Sequence, residues 1–273
     1  MTTPAISMTD LSSDRLIAAL NLPAAATVSQ RVPKKILAEN AAATATDRRL
    51  LQDHIEEIIW IAALKPANAG VAEYRDEQRT YLELAVLCAT LRQLGGNSAK
   101  VTRVAELVHR AIPYPVVLVL DGGERLYVSL AHIRWARKEA DQTVLDGALM
   151  QGIFERHCAA NSQACTDDNL REFLTALDMS RQARTSLWHL YQGWLDTVSA
   201  WQAVAVTGRF EASMTPEQAA DRRAALQRCH ALDARIASLR SAANKEKQMA
   251  RQVAANLEIK RLQHERDAVG RQL

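Results

Sequence analysis

The chain has 273 residues, of which 48% are apolar, enough for the core of one large domain or of two smaller ones. The dense apolar run at residues 115–120 is far too short to cross a bilayer. Asp10 and Asp14 interrupt the apolar stretch that a secretory signal would need, so we expect no membrane segment and a cytoplasmic location.

The net charge of +3 is unevenly distributed. Residues 222–273 contain twelve Lys or Arg and five Asp or Glu, a balance of +7, which leaves −4 for residues 1–221. The C-terminal tail is therefore the region that would attract acidic partners.

Residues 12–21 are predicted to form a short helix that ends before Leu22-Pro23. A stronger helix is predicted to begin at Thr46 or Asp47. Its apolar side chains Leu51, Ile55, Ile58 and Ile59 fall on one stripe, and Trp60 and Leu64 close the helix before Lys65-Pro66. Residues 80–88 alternate with apolar side chains on both faces, which predicts a strand covered on both sides. A loop at 94–98 and a helix over 99–111 follow.

The stretch AIPYPVVLVLDGGERLYVSLA, residues 111–131, predicts a β-hairpin. Pro113 and Pro115 impose an extended entry, and residues 116–120 are a dense run of Val and Leu. Asp121-Gly122-Gly123-Glu124 supplies the positive φ angles of a tight turn. This structural role accounts for every residue, so we interpret the hairpin as scaffold.

Strand signals fade after about Gln142, and helices are predicted around Phe154 and over 170–177, with a loop near 161–167. Residues 185–206 predict a long amphipathic helix ended by Gly208. Its aromatic stripe is typical of a core or of a helix–helix interface.

The tail begins with the helix start Thr215-Pro216-Glu217. Beyond it, a heptad seam typical of a coiled coil follows: Ala225, Cys229, Leu232, Ile236, Leu239 and Ala243, resuming at Ala250, Val253 and Leu257. The tail is predicted to be either one very long helix or a hairpin that reverses within residues 242–248. In both cases another helix must cover the seam.

No cofactor or metal site is predicted. Residues 95–100 (GGNSAK) lie between a strand and a helix but lack the GK[ST] ending that binds phosphate and magnesium. His157, Cys158 and Cys165 lack a second pair of ligands. We expect thiols without a metal, and histidines at the surface or in packing.

One enzymatic alternative is a metal-dependent nuclease of the PD-(D/E)xK type, which needs acidic residues that converge beside a lysine. The candidates are Glu83, Asp76 and Glu57 (or Glu56). No lysine stands two residues after Glu83, and surface charges explain the others equally well.

The basic tail is the strongest functional signal. Its cations are Arg222, Arg223, Arg228, Arg235, Arg240, Lys245, Lys247, Arg251, Lys260 and Arg261. The six from Arg240 to Arg261 are our candidate contacts for DNA or a partner protein. The alternative is a solvated helical face whose arginine stems cover apolar surface.

Several segments, taken in order over about residues 20–262, carry a resemblance. They are 31–35 (RVPKK), 55–60 (IEEIIW), 64–66 (LKP), 111–115 (AIPYP), 190–196 (LYQGWLD), 207–210 (TGRF), 245–248 (KEKQ), Val253 and 256–257 (NL). Together they resemble the bacterial family called domain of unknown function 4391. The resemblance implies companions of helicases and DNA adenine methyltransferases in restriction or phage-defence gene clusters. It implies no reaction and no catalytic residues.

We therefore predict an α+β fold: a domain over 1–150 that holds a small sheet and the hairpin 116–131, a helical region over 151–214, and a basic coiled-coil arm over 215–273. The predicted function is a non-enzymatic adaptor of a restriction or defence assembly. The arm would bind a helicase or methyltransferase subunit, or its own copy, and DNA is a further candidate. The alternatives are the nuclease and a simple DNA-binding module.

Overall fold

A computed structural model of the protein describes residues 11–41, 44–92, 97–136, 143–156 and 166–273. The helices are α1 Ser13–Ala19, α2 Lys34–Ala41, α3 Ala45–His54, α4 Pro66–Ala69, α5 Ser98–Ala111, α6 Asp167–Ala176, α7 Leu187–Thr207, α8 Pro216–Lys245 and α9 Met249–Gly270. The strands are β1 Thr27–Arg31, β2 Ile55–Leu64, β3 Tyr74–Arg75, β4 Thr80–Tyr81, β5 Leu84–Leu91, β6 Val116–Asp121, β7 Arg125–Trp135 and β8 Thr143–Glu155. The predicted α+β class, with a helical C-terminal half, is confirmed.

Six strands form one sheet in the order β1-β2-β5-β6-β7-β8, and β3 pairs with β4 beside it. All neighbours in the large sheet are antiparallel except β5 and β6, which run parallel and are connected through α5. Parallel neighbours need such a crossover, because a tight turn can join only antiparallel strands.

The predicted hairpin is confirmed as β6 and β7, with Leu118 opposite Ser129. Gly123 adopts a φ of 83°, a conformation that favours glycine, and its N–H donates to Asp121 Oδ1 at 2.9 Å. The hairpin lies inside the sheet, with β5 on one side and β8 on the other. Its role is scaffold, as the sequence indicated.

The helix predicted to run as far as Leu64 is wrong beyond His54. Residues 55–64 form β2, which pairs with β1 and β5. The cap also differs, because Thr44 Oγ1 accepts the N–H of Asp47 at 3.1 Å and starts α3. The β-branched run of isoleucines fits a strand as well as a helix, and pairing with two neighbours selects the strand.

The strand predicted over 80–88 is broken. Thr80–Tyr81 pairs with β3, and a new strand, β5, starts at Leu84 after an interruption at Leu82-Glu83. The prediction that both faces of this strand are covered is confirmed for β5, because its residues 84–87 are fully buried.

The prediction that strands end near Gln142 is wrong, because β8 pairs with β7 along most of its length. Phe154 belongs to this strand and not to a helix, and residue 150, where the first predicted domain ends, lies within it. β8 is an edge strand with Gly147 and Gly152 in its interior, which hides the alternation of polar and apolar residues. Most of the predicted loop at 161–167 lies outside the described residues.

Helices cover both faces of the sheet. One core contains side chains of α2, α3 and α5 together with Leu87 and Leu118. The opposite core contains side chains of α1, α6 and α7 together with Val86 and Val117. Neighbouring residues of each strand thus enter opposite cores, which explains why β5 and β6 are apolar along most of their length.

Helix α7 confirms the predicted long helix, with Ser186 as its N-cap and Gly208 in a left-handed conformation at its C-terminus. Its aromatic residues Tyr191, Trp194 and Trp201 are buried in the core, as predicted. Among the described residues, no helix combines the length and the apolar character that a bilayer crossing requires.

The hydroxyl of Tyr191 joins α7 to the middle of the sheet. It donates to the carbonyl oxygen of Val116 at 2.7 Å and accepts the N–H of Ala131 at 2.9 Å. Ala131 lies where the register between β7 and β8 shifts, so the hydroxyl satisfies a backbone group at an irregularity of the ladder. Burial raises the pKa of Tyr191 well above its usual value.

We expect Tyr191→Phe to lower the free energy of unfolding by about 1–3 kcal/mol, because buried backbone groups would lose their partner. Urea unfolding followed by circular dichroism measures this loss. Tyr114→Phe is the control, since Tyr114 is only half-buried and its hydroxyl forms no hydrogen bond within the described residues. Equal midpoints for the two variants would refute the role assigned to Tyr191.

His109 on α5 is fully buried, with Nε2 3.0 Å from Ser129 Oγ, and burial lowers its pKa to about 3. An exposed histidine in the unfolded chain has a pKa of about 6.5. The contribution of neutral His109 to stability is therefore complete above about pH 6.5 and is lost as the pH falls toward 3. We expect the urea midpoint to fall more steeply with acidification in the native protein than in His109→Gln, and parallel curves would contradict this.

Candidate functional site

The basic tail folds as a helical hairpin, which we call the arm: α8, a turn at residues 246–248, and α9. Thr215 Oγ1 accepts the N–H of Gln218 at 3.2 Å and Pro216 opens the first turn, as predicted. At the far end, Glu246 takes an extended conformation, and its carboxylate accepts the N–H groups of Lys247 and Gln248, each at 2.9 Å. Of the two predicted alternatives, the hairpin is the structure observed.

The two helices of the arm bury an apolar seam between them. From α8 the seam includes Cys229 and Ile236, and from α9 it includes Ile259, Leu262 and Val269. The expectation that another helix must cover the apolar face of α8 is confirmed, and the helix that covers it belongs to the same chain.

The prediction that Val253 and Leu257 continue this seam is wrong. The turn reverses the chain, so the heptad phase of α8 does not carry over into α9. Val253 is 53% exposed and Leu257 is 63% exposed, and Met249 at the start of α9 is 78% exposed. These three residues are spaced by four, which places them on one face of α9. We call them the tip stripe.

Six exposed cations lie in the same part of the arm, between residues 240 and 261, and they are the contact candidates of the sequence analysis. We call them the tip cations: Arg240, Lys245, Lys247, Arg251, Lys260 and Arg261. Residues 240–261 contain these six cations and two carboxylates, so this segment has a net charge of +4. Arg240 and Lys260 line one surface groove between α8 and α9. The structure therefore brings together residues that lie up to 21 positions apart.

Two of the tip cations are ion-paired. Arg251 lies 3.8 Å from Glu246, and Arg261 lies 2.7 Å from Glu258 and 3.9 Å from Glu265. The other four form no ion pair with any residue that the structure describes. Their charge is thus available to a partner at small cost in broken contacts.

The base of the arm is attached to α7. Arg223 of α8 is ion-paired with Asp196 of α7, whose carboxylate also accepts the side-chain N–H of Gln192 at 2.8 Å. Ala219 is buried in the first turns of α8. The start of α8 is therefore anchored, at the end of the arm opposite the tip stripe.

This anchor belongs to a polar network that sequence reasoning missed. His132 of β7 lies 2.5 Å from Tyr81 Oη through Nδ1 and 2.8 Å from Gln192 Oε1 through Nε2. Because the amide oxygen only accepts, Nε2 carries the proton and Nδ1 accepts from Tyr81. Trp188 stacks on the imidazole with ring centroids 5.7 Å apart.

Burial explains the protonation of this network. It lowers the pKa of His132 and raises the pKa of Tyr81, so both side chains stay neutral near pH 7. The three network residues Tyr81, His132 and Gln192 lie 51 and 60 positions apart, each without a local motif. Only their isolated aromatic and polar character was visible in the sequence, and it indicated packing.

The carboxylates of the nuclease alternative are not brought together. Glu57 is opposite Thr90, whereas Glu83 directly precedes the pair Leu84 and Leu64, seven residues further along β2. At the rise of a strand this is about 23 Å. Each end of the β2–β5 ladder therefore holds one of the two carboxylates.

Each of these carboxylates has a local partner. Glu57 contacts Arg31 at 3.3 Å, and Glu83 contacts Lys65 at 3.2 Å. Asp76 closes a turn by accepting backbone N–H groups at 2.7 and 2.6 Å, and these hydrogen bonds help to lower its pKa although burial opposes them. The described residues contain no group of three His, Cys, Asp or Glu able to hold a metal ion. His157, Cys158, Cys165 and the Gly95-Gly96 pair lie outside the described residues.

Comparison with known protein families shows which family the chain belongs to. The family model named Domain of unknown function (DUF4391) matches residues 20–265. The chain belongs to this family. No curated protein and no solved structure matches it. The DUF4391 match starts at the end of α1 and extends into α9, so it includes the sheet, α7 and the tip stripe.

The tip stripe belongs to none of the apolar cores formed by the described residues, so its truncation is expected to be nearly neutral. We predict that Leu257→Ala changes the free energy of unfolding by at most about 0.5 kcal/mol. The matched control is Leu262→Ala on the same helix, where the side chain is buried and the expected loss is about 2–4 kcal/mol. Thermal unfolding followed by far-UV circular dichroism compares the two, and a comparable loss in Leu257→Ala would show that the stripe is part of the folded core.

Proposed function

We propose that the protein is a non-enzymatic accessory subunit that binds a partner protein through the tip of the arm. The observation that carries this proposal is the tip stripe, three large apolar side chains held on one exposed helical face. Water contact of such side chains costs about 25 cal/mol per Å² of apolar surface. Covering them on binding would recover this free energy.

The partner surface is acidic and apolar at once. An apolar strip on the partner would cover Met249, Val253 and Leu257. Carboxylates around that strip would complement the net charge of +4 of residues 240–261. An amphipathic helix with acidic flanks has this chemistry, since it presents side chains at the same spacing of three and four residues. A second copy of this tip would bring two clusters of like charge together, which disfavours self-association at this surface.

We further propose that the partner is a helicase or DNA methyltransferase subunit of a bacterial restriction or phage-defence assembly. The support for this part is the resemblance described under Sequence analysis, since the family itself has no assigned function. The arm suits an adaptor because its base is anchored to α7, while the tip stripe and the tip cations remain exposed.

DNA binding is the second candidate, and the four tip cations without an ion pair favour it. A helix that follows a phosphate backbone needs cations and no apolar stripe, and its affinity falls steeply with salt. The two functions therefore differ in which side chains of the tip they need.

The test measures affinity of the purified full-length protein for helicase and methyltransferase proteins encoded beside it. We expect the double variant Val253→Ser/Leu257→Ser to bind at least about tenfold more weakly, since two buried apolar side chains would be lost. The matched control is Val28→Ser/Ile36→Ser, which removes two exposed apolar residues far from the arm in sequence.

Neutralising Lys245, Lys247 and Lys260 to Gln is expected to slow association and to reduce the salt dependence of binding. Full affinity in the Val253→Ser/Leu257→Ser variant would overturn the adaptor proposal. Binding of duplex DNA that needs the three lysines and tolerates the stripe variant would instead support the DNA-binding module.

A further inference from the structure

A cavity of about 580 Å³ lies at the base of the arm, where the end of α7 meets the first turns of α8. Its walls include Ala200 and Ala203 of α7, the α6 N-cap residue Thr166, Arg209 and Arg222. It therefore combines an apolar wall with two guanidinium groups and with the carboxylate of Glu211, which is ion-paired with Arg209.

Arg222 is unusual because it is buried and lacks a counter-charge. It is 4% exposed, its Nη1 donates to Ser213 Oγ at 2.8 Å, and its Nε has no hydrogen-bond partner among the described residues. It forms no ion pair with any described carboxylate. Glu211, the acidic residue whose field reaches it, is itself ion-paired with Arg209.

A buried guanidinium in this state is costly to the fold. Removing a charge from water costs several kcal/mol unless paired groups compensate, and buried arginines are normally paired for that reason. Burial accordingly lowers the pKa of Arg222, although the group stays protonated. The cost is offset when an anion occupies the cavity.

The unpaired guanidinium of Arg222 in the cavity wall defines the ligand. Planar guanidinium N–H groups match the oxygens of a carboxylate or a phosphate. Arg209 is neutralised in the cavity wall by its ion pair with Glu211, so Arg222 supplies the unbalanced positive charge of the described lining side chains. The alanines of α7 leave room for an uncharged body attached to the anion.

We propose that this cavity binds a small anionic molecule whose phosphate or carboxylate group is held by Arg222. The cavity is distinct from the tip stripe, because Arg222 lies in the second turn of α8 and Lys245 at its end. The 23 residues between them correspond to about 35 Å of helix. Failure of one site therefore leaves the other untouched.

The test uses inorganic phosphate and acetate as separate probes with the full-length protein, each compared with chloride at equal ionic strength. We expect phosphate, acetate or both to raise the thermal midpoint by about 3 °C at roughly five times the dissociation constant. A response to phosphate alone identifies a phosphorylated ligand, and a response to acetate alone identifies a carboxylated one.

Two variants connect the response to Arg222. Arg222→Met keeps the length and apolar stem of the side chain and is expected to abolish the shift, and Arg222→Lys, which keeps the charge without the paired donors, is expected to reduce it at least about threefold. Arg228→Met is the matched control, an exposed arginine of the same helix that pairs with Glu265, and it is expected to keep the full shift.

A second measurement does not depend on the stability of the variants. Broadening of the phosphorus resonance of inorganic phosphate reports binding directly, and for a phosphate site we expect it with the native protein and Arg228→Met but not with Arg222→Met. An equal thermal response in Arg222→Met and the native protein would overturn the proposal, as would the absence of any response to both anions.

Discussion

The packing of α7 against the sheet is the constraint on which the other elements depend. Tyr191 inserts its hydroxyl between the backbones of β6 and β7, and Trp194 and Trp201 fill the core around it. The outer face of the same helix carries Asp196, which is ion-paired with Arg223 of the arm. One helix thus fixes both the covered face of the sheet and the place where the arm starts.

Local signals in the sequence were sufficient to locate turns and helix ends, because glycine and proline fit few backbone conformations there. The glycines at 122–123, Gly208 and the Thr215-Pro216 start marked a turn, a helix end and a helix start, and all three were located correctly. The prediction was wrong where distant pairing decides the conformation. Ile55 to Ile59 fit a helical stripe, and only the partner strands β1 and β5 make them a strand.

The candidate site was partly visible in the sequence. The tip cations were found because charge is a property of composition and needs no three-dimensional information. Val253 and Leu257 of the tip stripe were assigned to the seam, because heptad phase alone does not reveal that a chain reverses. The burial of Arg222 without an ion pair to any described carboxylate was likewise hidden, and the sequence placed it among the cations of the basic tail.

The hairpin has a consequence for the reach of the molecule. Its two helices are antiparallel and joined by a turn that Glu246 closes through its own carboxylate, so the turn is independent of arm length. Inserting one heptad into each helix would shift the far end outward by about 10 Å while preserving the interface. Arm length can therefore vary like a spacer, matching partners of different size without any redesign of the globular body.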